Sequence, residues 1–185
     1  MVNIYTDLIN LLTVIQTEVI YMIDWDYERA SKSAAIFNAV IPTLEWYFNG
    51  KIYSTEDHEN QFAKLLDFKC AIDAIVDTDN AVFGIAHRVK YNYYEDFTIR
   101  IHNISGKCTE IDHMRQSGFK PRYHVQTVCV DHKIAVIAIA KTADLVYAID
   151  QYMYTTKTAF SGDKFAILDW NTLIKNGINV DIIRL

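Results

Sequence analysis

The spacing of apolar residues first turns from helical to alternating near residue 67, and that change limits the fold more than any motif does. Before it, Ile4, Leu8, Leu11, Leu12, Ile15, Val19, Met22 and Ile23 recur at helical spacing, which predicts a long amphipathic helix. The stretch "DWDYERASKSAAIFNAVIPTLEWYFNG" predicts a second helix from about Tyr27, bent near Pro42 and stopped at Asn49-Gly50. A third, "STEDHENQFAKLL", has Ser54 or Thr55 as cap and acids in its first turn. Beyond residue 67 the period becomes two. "FKCAIDAIVD" and "AVFGIAHRVKY" alternate around Thr78-Asp79-Asn80, and "DFTIRIHN" reads as a third strand. A short helix in "CTEIDHMRQSG" precedes the strands "RYHVQTVCVD" and "KIAVIAIAKT", the second apolar enough to lie inside a sheet. Helix "ADLVYAIDQYM", strand "KFAILDW", helical turn "NTLIKNG" and edge segment "INVDIIRL" complete the chain. The expected class is α/β (α+β), with N-terminal helices followed by a central mixed β-sheet flanked by helices.

A chain of 185 residues with two prolines, six glycines and no low-complexity run fits one domain. Residues 1–53 would form a helical segment and 54–185 an α/β core. Cys70, Cys108 and Cys129 are too far apart for a CxxC knuckle or a disulfide framework, which points to a reducing cytoplasm. Asp7, Gln16 and Glu18 interrupt the N-terminal apolar run, so neither a signal peptide nor a membrane span is expected. The apolar face of residues 4–23 needs a cover, and a homodimer through it is one expectation.

The net charge of −5 argues against non-specific coating of nucleic acid. Its distribution is uneven: residues 111–142, with five basic and two acidic side chains, form a positive stretch in an otherwise acidic chain. On a strand, residues two apart share a face. Asp73 therefore sits among small or apolar neighbours, where a carboxylate costs free energy unless a cation or hydrogen bonds compensate it. Metal ligation and a plain bridge to a neighbouring strand are both open for it. Arg88 and Lys90 share a face with the small Ala86 and Gly84. With Arg100 on the next strand, and Arg115, Arg122 and His124 further on, they are candidates for phosphate contacts, and Gln126 could reach the same place. The histidines show no metal-binding spacing; Cys108 with His113 is the one close Cys/His pair. Tyrosines cluster in "YNYYEDF" and "DQYMYTTKTAF", where they could stack on bases or anchor a protein partner.

Helix, strand with Asp73, strand ending in Arg88-Val89-Lys90, third strand, helix and strand: over roughly residues 56–142 this order resembles the core of the PD-(D/E)XK nuclease superfamily. The resemblance implies a restriction-endonuclease-like core acting on DNA or RNA phosphodiesters. It also implies Mg²⁺ held by Asp73 and a second acid, and Lys90 positioning or activating the attacking water. The second acid should stand where Arg88 is, and a guanidinium repels the ion. Either another carboxylate has taken over, Glu59 first and Asp67 or Asp96 behind it, or the fold persists without metal-dependent cleavage. In the first case Asp73, Glu59 and Lys90 carry catalysis while Arg88, Arg100, Arg115 and Arg122 bind phosphate. In the second the chain is a binding protein, such as an inhibitor or subunit of a defence or phage complex.

Overall fold

A computed structural model describes residues 29–55, 63, 66–67, 70–116, 118–131 and 133–185. The helix expected over residues 4–23 lies outside them. Helix α1, Arg29–Phe48, runs through Pro42 and buries Ile36, Phe37, Val40 and Leu44, one stripe at helical spacing. It ends where Asn49 takes φ +50° and returns its N–H to the Trp46 carbonyl. Gly50 then opens strand β1, Gly50–Ser54, which the sequence reading missed. A Cβ on Gly50 would stand 2.5 Å from the Asp77 carbonyl oxygen, so the neighbouring strand can approach only a glycine there.

Strand β2 (Ala74–Thr78) pairs antiparallel with β1 and with β3 (Ala81–Lys90). Thr78 ties the hairpin turn, accepting from the N–H of Ala81 and donating to its carbonyl. The chain then leaves this sheet. Strand β4 (Asp96–His102) lies in a second sheet, helix α2 (Glu110–Arg115) follows, and β5 (Pro121–Val130) returns parallel to β3. A parallel return needs a long crossover, and β4 with α2 supply it. Strand β6 (Lys133–Lys141) is antiparallel to β5. Helix α3 (Thr142–Asp150), β7 (Thr155–Thr158), β8 (Lys164–Asp169), α4 (Trp170–Lys175) and β9 (Val180–Arg184) complete the order. The six-stranded sheet runs β1-β2-β3-β5-β6-β9 and the second β4-β8-β7. This is a mixed α/β architecture with four helices among the described residues.

Each face of the large sheet has its own core. On one, α1 packs over Ala74, Val76, Ile85, Val125, Ile137 and Ile139. On the other, β4, β8 and helices α2 to α4 close over Val128, Val136, Ala138 and Ala140, with Phe97 against the fully buried Trp170. The near-continuous apolar run of β6 follows from this, since its two sets of side chains enter different cores. Each of the larger aliphatic or aromatic side chains so buried contributes about 1.5–3 kcal/mol of transfer free energy.

Candidate functional site

The pairing of β2 with β3 stops at Ala74 opposite Ile85, while β3 continues to Lys90 on β5 alone. Among the described residues no strand pairs with residues 86–89 on their β2 side, and a cleft of about 470 Å³ opens there. Asp73 stands at its head, one residue before β2 rather than within it. Its N–H donates to the Ile85 carbonyl at 2.9 Å, and its Oδ2 accepts the His87 N–H at 2.5 Å. Ile72 packs where Gly84 lacks a side chain, since a Cβ there would stand 2.7 Å from Ile72 Cδ1. The room that the small residues leave is thus filled, and the filling fixes Asp73. Asp67 also lines the cleft. Between the two acids Ala71 takes φ +51° with its N–H on the Asp67 carbonyl, a left-handed conformation costing a residue with a Cβ about 1 kcal/mol.

The cleft is also lined by Glu110, a carboxylate that the sequence reading did not single out. Thr109 and Asp112 form a capping box that starts α2 and places Glu110 in its first turn. Glu110 takes Arg88 in a two-pronged pair, with Arg88 Nε at 3.2 Å from Oε1 and Nη2 on Oε2. It also accepts the Arg100 N–H at 3.1 Å and lies 3.5 Å from His124 Nε2. Burial pushes the Glu110 carboxyl up, but the Arg88 charge, the His124 ring beside it and the hydrogen bond from Arg88 outweigh it and bring its pKa down to about 2. The other nitrogen of the buried His124 meets Thr142 Oγ1 at 3.1 Å, and Gln126 Nε2 donates to the Arg88 carbonyl at 3.1 Å. Arg88 is thereby held on both its side chain and its backbone. The signal for Glu110 was present in "CTEIDH": a threonine and an aspartate three apart with an acid between them, and an arginine without an assigned partner.

The remaining candidates separate. Arg100 lines the cleft, rests over the Phe165 ring at 5.4 Å and has Asp163 at 3.8 Å. Its buried Nε finds no hydrogen-bond partner among the described residues. Lys90 does not line the cleft: its ammonium sits on Asp96. Burial lowers its pKa and Asp96 opposes that shift. Asp96 is therefore spoken for as a second metal ligand. Arg115 pairs with Asp150 at the surface, and Arg122 stacks over Phe83 and Tyr123 at 5.2 and 5.8 Å. Arg88 and Arg100 thus share the cleft although β4 belongs to another sheet, whereas Arg115 and Arg122 do not line it. His87, on the α1 face, meets Phe37 at 4.5 Å and Thr127 Oγ1 at 2.9 Å, and its enclosure pushes its pKa down to about 3.

Glu59, the first choice for the second acid, lies outside the described residues. Among the described residues no three His, Cys, Asp or Glu side chains are grouped to hold a metal ion, and Cys108 with His113, both on the cleft wall, gain no third partner. Besides Glu110, which holds Arg88, the carboxylates Asp67 and Asp73 line the cleft. Magnesium commonly takes one or two protein carboxylates and completes its shell with water and substrate phosphate, so these donors suit it. Arg88 is a smaller obstacle than its sequence position suggests, since Glu110 neutralises it in place. Among the described residues no helix is long and apolar enough to cross a membrane. No family model, curated protein or solved structure matches the chain.

Proposed function

We propose that this cleft engages a phosphodiester of DNA or RNA, in a core resembling that of the PD-(D/E)XK nucleases, and cleaves it with a divalent metal. The single observation that carries the reading is the meeting of Asp67, Asp73, Arg88 and Arg100 in one cleft where β2 ends. The order of elements agrees with it: helical backbone at Ala63, Leu66, Asp67 and Cys70, then Asp73, a strand ending in Lys90, a helix and a strand returning parallel beside β3.

In this reading Arg100, whose guanidinium has one long ion pair, receives the phosphate. Arg88 presents the edge of its fork that Glu110 leaves open. Asp73 and Asp67 would hold magnesium, which when bound supplies charge neutralisation at phosphate oxygens and an acidified water. Lys90, seated on Asp96, balances charge at the end of β3 instead of touching substrate. The test is metal-dependent cleavage of plasmid, single-stranded DNA or RNA by the wild type, Asp73→Ala and Lys90→Ala. Loss of cleavage in Asp73→Ala with most of it retained in Lys90→Ala is expected; activity unchanged in Asp73→Ala would remove the site.

A second reading is a nuclease-like fold that binds without cleaving, as an inhibitor or assembly subunit. Two cations on the α2 face of β3 favour it, since each already sits on an acid, Arg88 on Glu110 and Lys90 on Asp96. Thermal unfolding separates the readings: millimolar Mg²⁺ or Mn²⁺ raises the melting temperature if metal binds the folded state. No shift would favour the binder.

A further inference from the structure

We infer that the cleft takes a single strand, with one nucleotide in the cleft and the next base stacked on Tyr94; this rests on reading the cleft as a phosphodiester site. Size is the first observation. A cleft of about 470 Å³ is in the range that encloses one drug-sized ligand, which a nucleotide is. Its walls come from α1 at Ser33, from β3 at Arg88 and from β4 at Arg100, so a base that enters must leave its duplex stack.

The second observation is the path away from the cleft. Arg88 and Lys90 lie two residues apart on one face of β3, a step of about 6.6 Å. The Tyr94 ring follows at 5.9 Å from Lys90 Nζ. Tyr93 is held by Glu95 and by Arg184, whereas Tyr94 stands 59% exposed with its ring beside the ammonium. An exposed aromatic ring beyond the end of the strand that carries Arg88 is the kind of platform on which bases stack without being read in sequence.

Charge is the third. Duplex DNA carries one charge per about 1.7 Å of axis, against one per about 3.4 Å for each of its strands. A protein of net charge −5, with two arginines in its cleft and each beside an acid, matches the sparser charge of a single strand better.

Fluorescence anisotropy of the full-length protein with a labelled oligonucleotide, as single-stranded DNA, single-stranded RNA and a hairpin duplex of the same sequence, tests this. The single strand, as DNA or RNA, should bind at least about tenfold more tightly than the duplex. Tyr94→Ala should weaken it about tenfold while Tyr94→Phe retains it. Equal or tighter duplex binding, or an unchanged Tyr94→Ala, overturns the single-strand inference and leaves the phosphodiester reading standing. Binding of neither form overturns both.

Discussion

His87 and Arg88 are neighbours in β3, yet the two faces of the sheet treat them in opposite ways. On the α1 face His87 gives up its charge: it packs on Phe37, bonds to Thr127, and its pKa falls to about 3. On the other face the half-exposed Arg88 guanidinium is paired with the buried Glu110, and His124 and Gln126 complete the surroundings. The difference lies in what covers each face. Helix α1 brings Ile36, Phe37, Val40 and Leu44, which can solvate no ion, whereas α2 brings a carboxylate in its first turn. A charged group is held where a carboxylate arrives from another element, and helix α1 brings none to His87.

The strongest way to break this contrast is to remove the partner. Glu110→Ala removes the carboxylate that Arg88 and His124 share and should cost about 2 kcal/mol in urea unfolding, less than a fully buried pair because Arg88 is half-exposed, with Glu110→Gln intermediate. A loss under about 1 kcal/mol would mean that Arg88 is solvated without Glu110.

Acid sharpens the contrast because the two faces answer at different pH. The folded pKa of His87, about 3, lies below its ordinary 6.5, so the stability it contributes is complete above pH 6.5 and is lost as the pH falls from there toward 3. Glu110 shifts from 4.5 to about 2, so its contribution is complete above pH 4.5 and disappears between 4.5 and 2. Between pH 6.5 and 4.5 the decline, up to about 1.4 kcal/mol per pH unit, should belong to the α1 face and flatten in His87→Leu. Persistence of the same slope in that variant would assign the acid sensitivity elsewhere.

Ala71→Gly makes the smallest change. Removing the Cβ from a left-handed residue between Asp67 and Asp73 should relieve about 1 kcal/mol of backbone strain, offset in part by the added freedom of glycine in the unfolded chain. A melting temperature that falls would show that the Cβ contributes contacts outweighing the strain.

The large sheet was legible because its strands alternate and its turns carry their own chemistry, as at Thr78 to Ala81. The inside position of β6 followed from an apolar run on both faces. Strand β1 escaped because "GKIYS" is short and sits between two helical patterns, and β7 because "TTKT" is exposed throughout. Nor could period two tell that "DFTIRIH" joins a different sheet, since alternation gives the faces of a strand and not its neighbours. The same limit applied to the site. Asp73, Arg88 and Arg100 were readable as charges on strands, but which of them share a cleft depends on β2 stopping at Ala74 and α2 delivering Glu110.

Salt dependence of single-stranded oligonucleotide binding by wild type, Arg100→Ala and Arg122→Ala tests most directly whether the cleft is where nucleic acid is held. Arg100 lines the cleft, whereas Arg122 stacks on Phe83 and Tyr123. If the account is right, Arg100→Ala weakens binding and lowers the slope of log affinity against log salt by about one, while Arg122→Ala changes neither. An unchanged slope in Arg100→Ala, with the loss in Arg122→Ala instead, would contradict it.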